Sequence, residues 1–193
     1  MIADNYISLC VLMLMRLKTE LDPFDRMRLH KSAILLEVFS KRECFKINDG
    51  QNIYYSAIDT LSQYIKKYQI DNSIDTTEAL TSLLNTVDSR VKESFIRSIP
   101  FIIQSAGFIN SIPDNKTLTI VSYIYYILRQ NVNATVEQIT DGFYQSGYSK
   151  TDYTRKDIIT TLINLEKSGT IVKEDTYCLV SNFKGVTEYK KLI

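Results

Sequence analysis

The side chains that most often catalyse reactions or bind metals are few in this sequence and share no recognised spacing. His30 is the single histidine, and the three cysteines stand far apart, without a CxxC pair. Zinc sites and activated thiols need such groupings. The adjacent carboxylates Glu174 and Asp175 have no acid–base partner in their vicinity. The sequence therefore predicts a protein that is not an enzyme and has no metal site.

Phosphate-binding loops and a strongly basic composition are also missing. All six glycines stand singly, so the chain contains neither GxxxxGK[ST] nor GxGxxG and predicts no bound nucleotide cofactor. Its 23 basic and 22 acidic residues give a formal charge of +1, which argues against a nucleic-acid coat protein. Local contact of one face with DNA remains compatible with this balance.

The longest apolar run and the cysteines bear on the cellular localisation of the protein. Leu9–Met15 is far shorter than the roughly 18 to 20 residues of a membrane span. Asp4 precedes this run and Arg16 follows it, the reverse of the charge order in a signal peptide. Three scattered cysteines do not form a disulfide framework. We therefore expect a cytoplasmic protein that does not contact a membrane.

Apolar residues at helical spacing dominate the first 114 residues. Residues 43–55 are ambiguous, because a hairpin signal at Asn48–Gly50 competes with a helical pattern. A long apolar stripe begins after Asp75 and must bend or end at Pro100. The predicted helices cover residues 5–20, 22–42 and 52–69, a segment from 75 to Pro100, and a short buried segment at 101–108.

The second half contains sharper signals, and we place a domain boundary between residues 114 and 115, at Pro113–Asn115. The N-terminal region, 1–114, is then a helical core or a surface for dimerisation or partner docking. In the C-terminal region, 115–193, capping residues and single glycines delimit three helices. They begin at Thr117, at Thr135 and near Tyr153, and end near Asn131, at Gly147 and at Gly169. Two short strands, Thr170–Val172 and Tyr177–Val180, follow.

The run Ile158–Val172 resembles the third helix, the glycine and the first wing strand of winged-helix proteins. The resemblance extends from about Thr117 to Asn182. It implies a mainly α fold, with an N-terminal helical region and a C-terminal winged helix of three helices and a β-hairpin wing.

In DNA-binding members of this family the third helix enters the major groove and the wing contacts phosphate or the minor groove. On the predicted third helix, the face opposite the apolar stripe presents Asp157 together with hydroxyl, amide and ammonium groups. The latter groups suit phosphates and base edges. The resemblance thus implies contacts to DNA or to a protein partner by Lys150, Tyr153, Arg155, Lys156, Thr160, Asn164, Lys167 and Lys173.

The predicted wing differs from that pattern, because Glu174 and Asp175 at its tip would repel phosphates. From Asn115 onward there are ten basic against eight acidic residues, a small surplus for an autonomous DNA-binding domain. Winged helices also serve as protein–protein modules, so we expect DNA contact or partner contact by the same helical face.

The helix that begins at Asp22–Arg26, together with the closing winged helix, resembles the middle subunits of bacterial three-component ABC-ATPase defence systems. The plan is also similar to that of winged-helix subunits that dock on SMC-type ATPases. These resemblances imply a non-catalytic accessory subunit that bridges DNA and a protein partner, either an ATPase subunit or a second copy, without a small-molecule substrate. The alternative is a sequence-specific DNA-binding transcriptional regulator or replication initiator with an N-terminal dimerisation region.

Overall fold

The computed structural model describes residues 76–131 and 133–180, the short segments 69–70 and 73–74, and the single positions 9, 12, 31 and 35. Contacts divide the chain into two compact units, residues 1–106 and 107–193. The described part is mainly helical and contains two small antiparallel hairpins. Within it, no helix combines the length and the apolar composition that crossing a membrane requires.

Most of the N-terminal predictions fall on residues outside the described ones: the helices at 5–20, 22–42 and 52–69, and the ambiguous segment 43–55. Four single positions within the first two of these helices are helical and buried, namely Leu9, Leu12, Lys31 and Leu35. Gln69 was predicted to end the third helix, but it lies in strand β1 (Gln69–Ile70), which pairs antiparallel with β2 (Ser73–Ile74).

The long helix predicted after Asp75 is two helices, α1 (Thr76–Thr86) and α2 (Ser89–Ser111). The chain leaves the helical conformation at Val87 and Asp88. The Asp88 carboxylate accepts the backbone N–H of Val91 at 2.9 Å, so it caps the start of α2. The apolar stripe nevertheless continues in phase across the break, and its buried members are Leu80, Leu83, Val87, Val91 and Phe95.

Helix α2 continues through Pro100, so the separate short helix predicted at 101–108 is wrong. Proline lacks the N–H that would bond to the carbonyl of Ile96, four residues earlier. Both residues are exposed, Ile96 by 61%, so water can satisfy that carbonyl. The exposed position of Pro100 accounts for its tolerance inside a helix.

Three helices follow in the second unit: α3 (Asn115–Gln130), α4 (Val136–Gln145) and α5 (Arg155–Lys167). The boundary predicted between residues 114 and 115 falls inside this unit, at the start of α3. The cap of α3 is Asp114 rather than the predicted Thr117, whose N–H donates to Asp114 Oδ1 at 2.7 Å. The capping box predicted at Thr135 is confirmed, and α5 begins with a second box at Thr154.

The predicted hairpin is confirmed. Strand β3 (Ile171–Lys173) pairs antiparallel with β4 (Tyr177–Leu179), with Val172 opposite Cys178. An additional pairing joins this hairpin to the connection before α4, because Ala134 and Tyr177 exchange both backbone hydrogen bonds, each at 2.9 Å. The hairpin is therefore part of the helical body rather than an appendage.

Helix α3 lies at the centre of the second unit and contacts α4, α5 and β4, while α5 also contacts β3. Apolar side chains from these elements form one core, in which the Phe108 and Tyr125 rings meet edge to face at 6.2 Å. Its completely buried apolar residues are Phe108, Ile109, Leu118, Val121, Ile124, Tyr125, Ile139, Phe143, Ile158, Leu162, Leu165 and Ile171. This packing fixes which face of α5 remains accessible.

Candidate nucleic-acid interface

The accessible face of α5 forms one wall of a groove, and the first turns of α3 form the other. The groove has a volume of about 520 Å³. Its lining residues are Pro113, Asp114, Lys116, Thr117 and Ile120 from the α3 side, and Lys156, Asp157, Thr160, Thr161 and Asn164 from α5. Hydroxyl, ammonium, amide and carboxylate groups all occur in this lining, so the groove can exchange hydrogen bonds with a ligand.

Three residues predicted from the helical periodicity line this groove together: Lys156, Thr160 and Asn164. Lys156 and Thr160 are exposed, as expected. The placement of Asn164 on the exposed face is wrong, because the residue is only 3% exposed. Periodicity within α5 does not reveal this burial. Asn164 also supports the end of α5, since its backbone carbonyl accepts the Ser168 hydroxyl at 2.7 Å.

An ion pair crosses the groove. Lys116 Nζ lies 2.7 Å from Asp157 Oδ2, and the two side chains are 45% and 34% exposed. Asp157 also accepts the N–H and the hydroxyl of Thr154, each at 2.8 Å. Burial alone would raise the pKa of Asp157, but the hydrogen bonds from Lys116 and Thr154 outweigh it and hold that pKa below its ordinary value. The carboxylate is therefore ionised at neutral pH.

The formal charges that line the groove cancel. Lys116 and Lys156 supply two positive charges, and Asp114 and Asp157 supply two negative ones. Asp114 is held by the N–H of Thr117 at 2.7 Å and by its hydroxyl at 3.1 Å. A groove with this balance has a limited attraction for a polyanion, because phosphate binding depends on uncompensated cations.

The cations predicted at the start of α5 have partners on α4. Arg155 pairs with Glu137 at 2.8 Å, and both side chains are more than half exposed. Lys150, in the turn between the two helices, places its ammonium 5.1 Å from the centre of the Tyr144 ring. These contacts join the turn and the start of α5 to α4, and Glu137 compensates the positive charge of Arg155.

Tyr153 contributes to an aromatic cluster rather than to the open face of α5. Its ring lies 5.3 Å from Phe143 and 5.5 Å from Tyr148, and its backbone carbonyl accepts the Tyr144 hydroxyl at 3.0 Å. The predicted location of Tyr153 opposite the apolar stripe is therefore wrong. Burial raises the pKa of Tyr148, so its hydroxyl stays protonated at physiological pH.

The remaining predicted residues lie outside the groove lining. Lys167 is exposed in the last turn of α5, where its positive charge interacts favourably with the negative end of the helix dipole. Lys173 is exposed at the end of β3, with its ammonium 5.6 Å from the Tyr177 ring centre. The bend between the strands exposes Glu174 and Asp175, in agreement with the acidic hairpin tip that the sequence predicts.

The α3 wall is the part of the site that sequence analysis missed. The Asp114–Thr117 capping pattern is visible in the sequence, but nothing local shows that Lys116 would point towards α5. The role of Lys116 depends on the packing of α3 against α5, which brings its ammonium to Asp157.

No metal-binding arrangement was found in the described segments, since no three His, Cys, Asp or Glu side chains converge there. Comparisons with protein-family models, with curated proteins and with solved structures found no match.

Proposed function

We propose that residues 107–180 form a winged-helix domain, and that the chain is a non-catalytic accessory subunit of a cytoplasmic, DNA-associated ATPase machine. In this proposal the exposed face of α5 contacts DNA while other surfaces bind the protein partner. The observation that carries the proposal is the order α3, α4, α5, β3, β4 around one core, with the hairpin attached through the Ala134–Tyr177 pair. The ATPase partner and the defence setting rest on the resemblances of the sequence alone.

The charges favour an accessory role over autonomous DNA binding. Lys116 and Arg155 are each compensated by a carboxylate, Asp157 and Glu137 respectively. Non-specific affinity for DNA grows with the number of phosphates that free cations neutralise. Few such cations on α5 support weak DNA contact that a partner must reinforce.

The burial of Asn164 also favours this role over a sequence-specific regulator. Bidentate hydrogen bonds between an amide side chain and adenine need an accessible side chain. Asn164 is 3% exposed, whereas the neighbouring Thr160 and Lys156 are open to solvent. The exposed groups suit phosphate contacts, which position a protein on DNA without reading its sequence.

The DNA contact is tested by the double variant Lys156→Glu plus Lys167→Glu. In the described residues neither lysine forms an ion pair. We expect retention on a duplex of random sequence to fall, and the slope of log affinity against log salt to decrease by about 0.9 for each lost phosphate contact. The full chain is titrated with salt in a fluorescence-anisotropy assay.

The matched control is Arg90→Glu plus Lys92→Glu, which makes the same change in net charge at the start of α2. Acidic residues are favoured at a helix start, so this control should fold normally. We expect it to lower DNA retention less than the α5 double variant. Equal retention by wild type and the α5 double variant would remove DNA from the function of this face.

The partner is tested by purifying the tagged chain from its host and identifying bound proteins by mass spectrometry. The proposal expects an ATPase subunit in stoichiometric amount. Purification of the chain alone or as a homodimer, combined with a strong preference for one DNA site, would instead support the regulator.

A further inference from the structure

The Lys116–Asp157 pair occupies the groove that the proposed DNA contact uses. Both side chains line the groove beside Lys156 and Thr160, and both are partly open to solvent. Asp157 is fixed in place by Thr154 at the start of α5. At neutral pH its negative charge therefore lies on the face of the helix that would meet phosphate.

Lys116 has two possible anionic partners when DNA approaches this face. If it stays with Asp157, at the observed 2.7 Å, the remaining cation in the groove lining is Lys156, and the carboxylate of Asp114 opposes its charge. If it turns to a phosphate, the carboxylate of Asp157 loses its compensation and repels the same phosphate. In either case the carboxylate removes about one phosphate contact from the face.

We propose that the Lys116–Asp157 pair sets the affinity of the α5 face for DNA phosphate and keeps it low. This inference rests on the proposed function, and it adds a residue from α3 to the interface. A face of low intrinsic affinity would engage DNA productively only when a bound partner holds the subunit against the duplex. Removing the carboxylate should then convert a weak DNA contact into a stronger one.

The decisive variant is Asp157→Asn, which removes the charge but keeps an oxygen that can accept the N–H of Thr154. Lys116 is then free to neutralise a phosphate. We expect affinity for a random-sequence duplex to rise about two- to fivefold, the equivalent of one exposed ion pair. The salt slope should steepen by about 0.9, as for one added phosphate contact.

The opposite change, Lys116→Gln, leaves Asp157 without its cation. We expect affinity to fall about two- to fivefold. The double variant Lys116→Gln plus Asp157→Asn removes both charges, and its affinity should lie between those of the two single variants. All proteins are full-length, and far-UV circular dichroism with thermal unfolding verifies that each is folded.

Glu166→Gln is the matched control, since Glu166 is an exposed carboxylate on α5 that does not line the groove. It changes the net charge by the same amount, and we expect a smaller gain in affinity. If Asp157→Asn gains no more than this control while Lys156→Glu plus Lys167→Glu still weakens binding, the inference is wrong and the proposed DNA contact stands. If neither the wild type nor any variant binds DNA, the inference and the proposed DNA contact are both wrong.

Discussion

The carboxylate of Asp157 accepts two hydrogen bonds from Thr154 and pairs with Lys116, so one side chain serves both the start of α5 and its connection to α3. A carboxylate with these partners is more acidic in the folded chain than in the unfolded one, because they stabilise its charged form. A lowered pKa in the folded state contributes stability above the unfolded pKa, about 3.9. That contribution disappears as the pH falls through the folded pKa.

The pair should therefore stabilise the protein at neutral pH and not in acid. Lys116→Gln should lower the free energy of unfolding by about 0.2 to 1 kcal/mol at pH 7, the range for exposed pairs. The difference from wild type should shrink as the pH falls below the unfolded pKa of about 3.9 and through the lower pKa of Asp157 in the folded protein. Urea unfolding of both proteins at pH 7, 5 and 3 measures this difference in the free energy of unfolding. A difference that is constant with pH would instead assign the effect to packing of the lysine chain.

Gly142 in α4 is constrained by one neighbouring atom. A Cβ at this position would lie 2.7 Å from the Tyr123 hydroxyl oxygen but 3.8 Å from the adjacent ring carbon. Tyr123 is only 7% exposed, and its ring packs edge to face on Phe143 at 5.1 Å. The ring has little room to move, so the hydroxyl alone excludes a larger residue.

Gly142→Ala should therefore destabilise the protein, although alanine is favoured over glycine in a helix by about 1 kcal/mol. In a Tyr123→Phe background the same change should become stabilising, because the clashing oxygen is gone. Thermal unfolding of the four proteins in this double-mutant cycle gives the coupling free energy between positions 142 and 123. An equal effect of Gly142→Ala in both backgrounds would contradict the assignment.

The two ends of α5 are capped by different motifs. Its start is the Thr154–Asp157 capping box, and its end is the left-handed Gly169, with φ of 71°. At this end Gly169 N–H donates to the Glu166 carbonyl at 2.9 Å, and Thr170 N–H donates to the Leu165 carbonyl at 3.2 Å. This Schellman arrangement reverses the chain into β3.

Replacing Gly169 tests the backbone conformation without a steric complication, because a Cβ at this position would meet no atom within 4 Å beyond its chain neighbours. Gly169→Ala should cost about 1 to 2 kcal/mol, the cost of a left-handed conformation for an L-residue. Gly169→Asn should cost less, since asparagine tolerates this conformation better. Urea unfolding of the two variants compares them, and equal costs would indicate that the conformation is not responsible.

Local signals account for most of what the sequence predicted correctly at the scale of elements. The Thr135 capping box, the ends at Gly147 and Gly169 and the hairpin all depend on residues close together in the chain. The break at Val87–Asp88 was missed because the apolar stripe stays in phase across it. The box at Thr154 was missed because its third helical residue is Asp157 rather than the usual Glu or Gln.

Contacts between distant segments explain the errors in the candidate site. Periodicity within α5 identifies Leu162 and Ile158 as core and Lys156 as exposed, and all three assignments are correct. It cannot show that Asn164 is buried, or that Tyr153 joins an aromatic cluster with α4 and the turn after it. These placements depend on which helix packs where, and a single helical pattern does not carry that information.

At the scale of the molecule, the core of the second unit determines whether the candidate interface exists at all. Leu162 on α5 is completely buried, whereas Thr160, two residues earlier on the same helix, is exposed. An unpaired carboxylate in such a core carries a large desolvation penalty. The same carboxylate on the exposed face has no such penalty.

Leu162→Asp should therefore unfold the C-terminal region, and Thr160→Asp should leave it folded. The loss for Leu162→Asp should exceed about 4 kcal/mol, beyond the range of ordinary single substitutions. Circular dichroism and the dispersion of methyl signals in NMR spectra report the outcome. A soluble Leu162→Asp variant with native spectra would show that the buried face of α5 is assigned wrongly.

The reciprocal pairing of Ala134 with Tyr177 has a consequence for local motion. Ala134 lies in a connection between helices, where backbone amides usually exchange quickly with solvent. Because its N–H is bonded to a strand and the residue is only 2% exposed, its deuterium uptake should be as slow as that of the β3–β4 strands. Opening of the hairpin would then release the start of α4 in the same event, so the two segments behave as one exchanging unit.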